Sequence, residues 1–417
     1  MKLPIKLILQ NNRSIAYPKS TKDVSKLLRF CYQKKFNVIP LGGETNRVNG
    51  TDYLNDKKNI FISFDKMNKI VETDNLNMSM TVQSGVKLLQ IHKKANSKKL
   101  FFPVSIAPSD KCTIGGNIST NVGGLQTLRY GNIEDHINGL EVVLSDGTVL
   151  NLQSKLKKDN FGPKLWKIFC GSEGIFGVIT KANLKLIPRK KYRSTYLVEI
   201  SNLNQSITLL KNLRKKFFDD LISFEIIFPI PSELILKKRF HLILEFISNE
   251  KKENSKAILE NKYCKIKRIE KNVANSIIWK KREEVVYNQR INSFLEKFDI
   301  SLPLDKWNYF IKKVDVFLKK NIVFTPYFFG HLGDGNLHCN FKIDPQTPKN
   351  KKLLSNFIYN LTIECGGSIA AEHGLGLQKN KLIKKYKSKE YLNFLKNIKK
   401  SLDPKIILGR NKIYKLD

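Results

Sequence analysis

The chain has 417 residues, and its 74 Lys and Arg against 37 Asp and Glu give a formal net charge of +37. Hydrophobic residues make up 41% of the chain, which excludes intrinsic disorder, since disorder needs low hydrophobicity as well as high charge. This length predicts a folded protein of about two or three domains.

The first predicted element is a helix. Ser20 is a typical N-cap, and apolar residues follow it at helical spacing as far as Cys31. Short strands are predicted at 37–40, 60–64 and 78–84. Residues 139–152 have the pattern of a hairpin, with two apolar strands around Ser145-Asp146-Gly147.

From residue 189 to about 345, strand and helix patterns alternate. Residues 305–320 place apolar side chains on one helical face, and 323–330 form an aromatic strand. The chain after residue 356 is mostly helical in pattern and ends its last helix near Leu402.

The positive charge by itself favours nucleic acid or an anionic membrane surface as a partner, because clustered Lys and Arg displace counterions from phosphates. The lysines are instead spread over the whole chain, without the run of like charges that marks a binding tail. We therefore expect no nucleic-acid partner, and most of the charge is interpreted as a compositional excess on solvated faces.

The six cysteines form no CxxC pair, which favours reduced thiols in a reducing compartment. The first residues lack a signal-peptide pattern, because Lys6 interrupts a short apolar stretch, and nowhere do 18 apolar residues run together. A cytoplasmic location is expected, with peripheral contact at the inner face of a membrane as a further option.

Four glycine clusters mark the first half of the chain: Gly42-Gly43, Gly115-Gly116, Gly123-Gly124, and Gly171 with Gly174 and Gly177. Glycine lets successive backbone amides converge on phosphate oxygens. None of the clusters fits GxGxxG or GxxxxGK[ST], which disfavours a Rossmann site and a P-loop. Each cluster alone fits a tight turn, whereas all four with nearby Asn and Thr side chains favour one large pyrophosphate-containing ligand.

A second constellation is GHLGDGNLHCN at 330–340. A two-residue type I′ loop at Asp334-Gly335 would place His331 directly opposite His338, close enough for both imidazoles to reach one divalent metal. Asn340 would share their face, and Cys339 would point into the core. An anionic third ligand is available in SIAAEHGLG at 368–376, and a hydrogen-bonded hairpin without metal stays open as the alternative.

The stretch 114–150, followed by GSEGIFGVIT at 171–180, resembles the PCMH-type FAD-binding domain of the vanillyl-alcohol oxidase superfamily, in its glycolate oxidase and D-lactate dehydrogenase branch. The resemblance implies an α+β protein: a two-lobed FAD-binding domain over 1–188, an α+β substrate or cap domain with an antiparallel sheet over 189–355, and a C-terminal helical segment over 356–417 that closes the active site. FAD is expected to bind non-covalently, because residues 38–50 contain no histidine.

The resemblance also implies the residues that contact FAD, with the pyrophosphate on the backbone amides of LGGETN (41–46). Glu44 departs from the asparagine common there and adds a negative charge. The implied cofactor-binding residues are Gly42, Gly43, Glu44, Thr45, Asn46, Ile114, Gly115, Gly116, Asn117, Thr120, Asn121, Gly123, Gly174, Gly177, Val178 and Ile179.

GHLGDGNLH and AEHGLG resemble motifs of the D-2-hydroxyacid dehydrogenases in the same branch, especially D-2-hydroxyglutarate dehydrogenases. This resemblance makes His331, His338 and Glu372 ligands of a divalent metal, zinc or manganese. It makes His373 the general base and Asn340 a substrate contact.

WKKREEVV (279–286) and KFDISLP (297–303) similarly imply Arg282 and Lys297 as contacts of a substrate carboxylate. Val286 stands where the family has threonine. Gly409-Arg410 stands where the family has Asn-Pro.

The implied reaction oxidises a D-2-hydroxy acid, of the D-2-hydroxyglutarate, D-lactate or glycolate type, to the 2-oxo acid. His373 takes the hydroxyl proton, and hydride passes to flavin N5. The absence of a nicotinamide fingerprint favours an electron-transfer flavoprotein, a quinone or a cytochrome as acceptor, and a homodimer is a further expectation. The alternatives are a non-catalytic flavin subunit that only passes electrons and a basic nucleic-acid-binding protein.

Overall fold

The computed structural model describes residues 3–53, 58–156, 158–229, 240–250, 264–271, 279 and 295–414. The chain divides into two compact units. The first unit comprises Met1–Gly124, Gly131–Arg189 and Glu372–Asp417, and the second comprises Leu125–Tyr130 and Lys190–Ala371.

The elements are numbered in chain order. The strands are β1 (Leu7–Gln10), β2 (Arg13–Ala16), β3 (Asn37–Leu41), β4 (Asn59–Ser63), β5 (Ile70–Asp74), β6 (Ser79–Gln83), β7 (Leu100–Phe101), β8 (Ile137–Val143), β9 (Val149–Leu152), β10 (Val178–Lys185), β11 (Ile187–Pro188), β12 (Tyr192–Ile200), β13 (Leu221–Ile227), β14 (Phe240–Ser248), β15 (Cys264–Lys271), β16 (Leu295–Ser301), β17 (Phe324–His331) and β18 (Asn336–Ile343). The helices are α1 (Thr21–Lys34), α2 (Leu88–Ser97), α3 (Ile114–Ser119), α4 (Thr127–Tyr130), α5 (Leu203–Phe217), α6 (Trp307–Lys320), α7 (Pro348–Glu364), α8 (Asn380–Tyr386) and α9 (Lys389–Leu402). Among the described residues, none of the helices combines the length and the apolarity needed to cross a bilayer.

The first unit contains two main sheets. One is mixed, in the order β1-β2-β4-β3, and the other is antiparallel, in the order β5-β6-β10-β8-β9. The predicted first helix is confirmed as α1, where the Ser20 side chain accepts a hydrogen bond from the Asp23 amide. The predicted hairpin is also confirmed, since β8 and β9 pair around a turn in which Gly147 has a φ of +89°.

The second unit is built on one seven-stranded antiparallel sheet, in the order β15-β12-β14-β13-β17-β18-β16. One face of the sheet packs against α5, α6 and α7 in a core that includes Phe224, Phe246, Trp307 and Phe341. The predicted helix at 305–320 and the predicted strand at 323–330 are confirmed as α6 and β17. Because side chains alternate along a strand, the other face carries the polar residues of β13, β16, β17 and β18.

The C-terminal residues divide between the two units, whereas the prediction had one C-terminal helical segment over 356–417. Helix α7 belongs to the second unit, because its apolar residues join the core beneath the sheet. Residues from Glu372 onward belong to the first unit, where Ile407 and Leu408 add to the edge of β3 through a parallel bridge to Val38. At the departure from the family pattern, the Arg410 amide donates to Asn37 Oδ1 at 2.9 Å, a hydrogen bond that proline has no N–H to make.

Candidate functional site

The histidine hairpin forms, but its predicted register is wrong. His331 lies opposite Asn336, and His338 lies opposite Phe329, so the loop has four residues. A type I′ turn needs positive φ at both central residues, and only Gly335 of the predicted pair has it. The loop instead closes with the Asp334 and Gly335 amides donating to the His331 carbonyl.

The two imidazoles still converge, because residues two apart along a strand share a face. His331 and His338 are diagonal neighbours with ring centroids 5.5 Å apart. A carboxylate joins them, since His331, His338 and Glu372 each offer one ligand atom, and these atoms lie within 4.8 Å of one another. Glu372 directly follows Ala371, whose amide donates to the Asp299 carbonyl.

The chemistry of this donor set fits a divalent metal. Two histidines and one carboxylate are a common set in open zinc sites, with bonds of about 2.0–2.2 Å. Ligands at that bond length lie up to about 4.2 Å apart, so small side-chain adjustments suffice to bring the three groups onto one ion. Asn336 lies directly opposite His331 in the hairpin. Its buried amide oxygen, Oδ1, accepts no hydrogen bond from the described part of the chain.

The predicted substrate contacts lie on the same strands. Asn340 is buried and shares the face of His338, and Lys297 lies directly opposite Asn340 on β16. Cys339 points the other way into the apolar core, as predicted, and its burial raises the pKa of the thiol well above the ordinary value. Arg282 and Val286 lie outside the described residues.

In the first unit, the segment that carries the predicted base is tied to two glycine-rich loops. The Asn46 side-chain amide donates to the His373 carbonyl at 3.1 Å. The Glu173 carboxylate accepts hydrogen bonds from the backbone amides of Leu375 and Gly376. The backbone from the His373 carbonyl to the Gly376 amide is therefore held in place.

The glycine clusters at 42–43 and 115–116 approach each other closely. A methyl group on Gly42 would lie 3.2 Å from Gly116 Cα, and one on Gly43 would lie 2.2 Å from the Lys111 carbonyl oxygen. The cluster after residue 170 joins them, because the Glu173 amide donates to the Ser119 carbonyl. This convergence of small-residue backbone fits a cradle for a pyrophosphate.

Several predicted cofactor-binding side chains already have partners within the protein. Asn117 donates to Cys112 Sγ, Thr120 donates to the Gly116 carbonyl, and Asn121 accepts from the Glu134 amide. These contacts hold the surrounding backbone in place. A role of these side chains toward FAD remains a prediction.

The remaining predicted cofactor residues fall into two groups. Ile114, Val178 and Ile179 have buried side chains, and Gly177 packs where a methyl group would meet Val142. Thr45, Gly123 and Gly174 lie in loops, where Gly174 has a φ of +80°, and Gly115 lies in the first turn of α3.

Glu44 is placed so that its charge is partly neutralised. Its carboxylate lies 2.6 Å from Arg13 Nη1 and accepts a hydrogen bond from Thr51 Oγ1 at 2.9 Å. Its backbone has a φ of +50°, which asparagine tolerates better than glutamate. The negative charge that Glu44 adds to the loop at 41–46 is thus present, and it is paired with the Arg13 guanidinium.

Sequence reasoning missed four acidic or polar residues in these two regions: Glu173, Glu225, Asp299 and Asn336. A signal for Asp299 existed, since it lies two residues after Lys297 on a strand and therefore shares its face. Glu225 similarly interrupts the apolar strand LISFEII of β13. A lone acid in an apolar strand is informative, because a buried carboxylate needs a partner.

Comparison with known proteins identifies the family of the chain. Residues 13–153 match the FAD binding domain family, and residues 206–413 match the C-terminal domain of FAD linked oxidases. The chain belongs to the FAD-linked oxidase family. It is therefore a flavin-dependent oxidoreductase, in the branch that includes D-2-hydroxyglutarate dehydrogenases and a glycolate oxidase subunit.

A mitochondrial D-2-hydroxyglutarate dehydrogenase of Danio rerio is 32% identical over 97% of this chain and 79% of its own length. A glycolate oxidase subunit of Bacillus subtilis is 30% identical over 97% of this chain and 89% of its own. Among solved structures, an alkyldihydroxyacetonephosphate synthase matches with a TM-score of 0.75 at 18% identity, over 95% of this chain and 76% of that one. The last likeness concerns the fold alone, and it agrees with the predicted α+β, PCMH-type architecture of this family member.

Proposed function

We propose that this FAD-linked oxidase oxidises a D-2-hydroxy acid to the 2-oxo acid with the help of a divalent metal. The observation that carries the proposal is the convergence of His331, His338 and Glu372, with His373 as the next residue, in a member of a flavoenzyme family. A protein that only passes electrons has no need of such a ligand set.

In this proposal His331, His338 and Glu372 hold the metal, and the glycine-rich loops hold FAD non-covalently. When bound, the metal supplies Lewis-acid polarisation of the substrate oxygens, and FAD supplies the acceptor for the hydride that leaves the substrate Cα. Zinc and manganese both suit two imidazoles and one carboxylate.

The residues of the chain then have separate tasks. His373 accepts the hydroxyl proton on an imidazole nitrogen, a role that suits histidine because its pKa ordinarily lies near neutral pH. The hydrogen bonds that Asn46 and Glu173 make to this segment hold the backbone that carries the base. Lys297, Asn340 and Arg282 bind the anionic substrate and orient it.

The test is anaerobic flavin reduction by purified holoenzyme with D- and L-forms of 2-hydroxyglutarate and lactate, and with glycolate. We expect one D-acid or glycolate to bleach the flavin absorbance. His373→Ala is expected to slow this reduction about 100-fold or more, the usual contribution of a general base, with FAD and metal content unchanged. His92→Ala, which removes an imidazole that contacts the Val104 carbonyl, is the matched control.

Each outcome has a distinct meaning. Wild-type rates in His373→Ala would remove His373 from its role as base. Flavin that no acid of the panel reduces would contradict the hydroxy-acid activity and favour the electron-passing subunit, for which the likeness to a glycolate oxidase subunit is the supporting observation. An electron-transfer flavoprotein, a quinone or a cytochrome is the proposed acceptor, and each is tested by reoxidation of the reduced enzyme.

A further inference from the structure

Two carboxylates lie behind the histidine pair on the polar face of the seven-stranded sheet. Glu225 Oε1 on β13 lies 2.6 Å from His331 Nδ1, and both side chains are buried. Asp299 on β16 lies directly opposite His338, with its Oδ1 3.7 Å from His338 Nδ1. Each imidazole therefore presents the same nitrogen, Nδ1, to a carboxylate.

This pairing determines which nitrogen of each ring is suited to a metal. A neutral imidazole carries one proton, and a carboxylate beside Nδ1 keeps that proton there. The lone pair is then on Nε2, at the far side of the ring from the carboxylate. A hydrogen bond of 2.6 Å also fixes the plane of the His331 ring, so that the direction of Nε2 is set before any ion binds.

The Asp299 carboxylate is itself held in position. The side-chain amide of Asn336 donates to Asp299 Oδ1 and to the Ile300 carbonyl, both at 2.9 Å. Because both N–H bonds of this amide meet acceptors, the orientation of Asn336 is determined, and its Oδ1 is the atom left on the face shared with His331. Asn336 on β18, directly opposite His331, thus holds the Asp299 carboxylate of β16 by a hydrogen bond.

We infer that Glu225 and Asp299 are positioning residues that hold His331 and His338 with Nε2 toward a divalent metal, and that Glu225 contributes more because it is in hydrogen-bond contact. The inference rests on the proposed function for the metal itself. It means that Glu225 on β13 and Asp299 on β16, which lie outside the ligand motifs, contribute to metal affinity. Loss of such an outer partner typically lowers metal affinity about 10- to 100-fold.

The experiment measures the dissociation constant of Zn²⁺ by chelator competition on the FAD-loaded protein. The variants are Glu225→Gln and Asp299→Asn. Glu245→Gln is the matched control, because Glu245 is a buried carboxylate on the same face of the same sheet, paired with Arg193 and Trp279 and not with a histidine. Flavin absorbance and thermal unfolding report whether each variant is folded.

We expect Zn²⁺ affinity to fall about 10- to 100-fold in Glu225→Gln, to fall less in Asp299→Asn, and to stay within about twofold of wild type in Glu245→Gln. The Co²⁺-substituted protein provides a second readout, since its visible ligand-field bands should shift in Glu225→Gln and not in Glu245→Gln. A general loss of stability would not produce this difference.

Two results would overturn the inference. One is that Glu225→Gln and Asp299→Asn both keep the Zn²⁺ affinity and the Co²⁺ bands of the wild-type protein. The other is an equal loss of affinity in Glu245→Gln, which would make net charge, and not contact with the imidazoles, the cause. If Glu225→Gln loses FAD or its fold, the Zn²⁺ affinity of Asp299→Asn tests the inference in its place: a loss supports it, and wild-type affinity contradicts it. Wild-type protein that binds neither Zn²⁺ nor Mn²⁺ would instead contradict the proposed metal site.

Discussion

The Glu173 carboxylate accepts a hydrogen bond from the backbone amide of Leu375 at 2.8 Å, and its two oxygens also receive the Gly376 amide. Glu173 belongs to the glycine-rich loop that contains Gly171, Gly174 and Gly177, whereas Leu375 lies two residues after the proposed base. One side chain therefore connects this glycine-rich loop to the segment that carries the proposed base.

Glu173→Ala removes both acceptors and leaves two backbone amides unpaired. We expect hydrogen exchange of a peptide spanning 372–379 to accelerate about 10- to 100-fold, because a lost hydrogen bond costs about 1–3 kcal/mol. Glu173→Gln keeps one carbonyl oxygen and should give a smaller effect. Unchanged exchange in Glu173→Ala would mean that the loop is held by other contacts.

Gly43→Ala should disrupt the cofactor loop. The added methyl would lie 2.2 Å from the Lys111 carbonyl oxygen and 2.7 Å from Cys112 Cα, so backbone must move. We expect a loss of about 1–3 kcal/mol in the free energy of unfolding and a lower flavin-to-protein absorbance ratio. Gly50→Ala is the control, because its methyl would make only an ordinary contact with the Lys412 side chain, 3.5 Å from Cε. Equal behaviour of the two variants would exclude a tight loop at Gly43.

Glu44→Asn should tighten FAD binding. The substitution removes a negative charge from the loop proposed to take the pyrophosphate, and Arg13→Ala should do the opposite by leaving that charge unpaired. The expected change is about two- to fivefold in each direction, the size of an exposed ionic interaction of up to about 1 kcal/mol. Titration of apoprotein with FAD measures it, with Glu72→Asn, which breaks the exposed pair with Lys155, as control. Weaker FAD binding by Glu44→Asn would mean that the FAD pyrophosphate does not lie beside Glu44.

Glu245 should make stability depend on pH. Burial raises its pKa, a shift opposed by Arg193, so the folded state binds this proton more tightly than the unfolded state does. Its contribution is then complete below the ordinary pKa of 4.5 and is lost as pH rises through the folded value. We expect thermal unfolding of wild type, relative to Glu245→Gln, to move to lower temperature as pH rises from about 4 to 7. Parallel curves for the two proteins would show that Glu245 ionises normally.

The local elements could be predicted well from the sequence because their signals are local. The Ser20 cap with helical apolar spacing gave α1, and the turn at Gly147 gave the β8–β9 hairpin. The hairpin with the histidines was predicted with the wrong register, because Asp334-Gly335 is also compatible with a longer loop. Burial of Leu332 in the apolar core accompanies the four-residue loop, and a sequence pattern does not contain that tertiary contact.

The sequence by itself determined the family, the glycine-rich character of the cofactor region and the identity of the candidate ligands, since motifs preserve residue type and spacing. Only the tertiary structure decided what holds those residues. Glu225 and His331 are separated by 106 positions, and Glu173 and Leu375 by 202, so no local pattern relates them. A buried carboxylate is stable only when partners surround it, and folding, not proximity in sequence, supplies those partners.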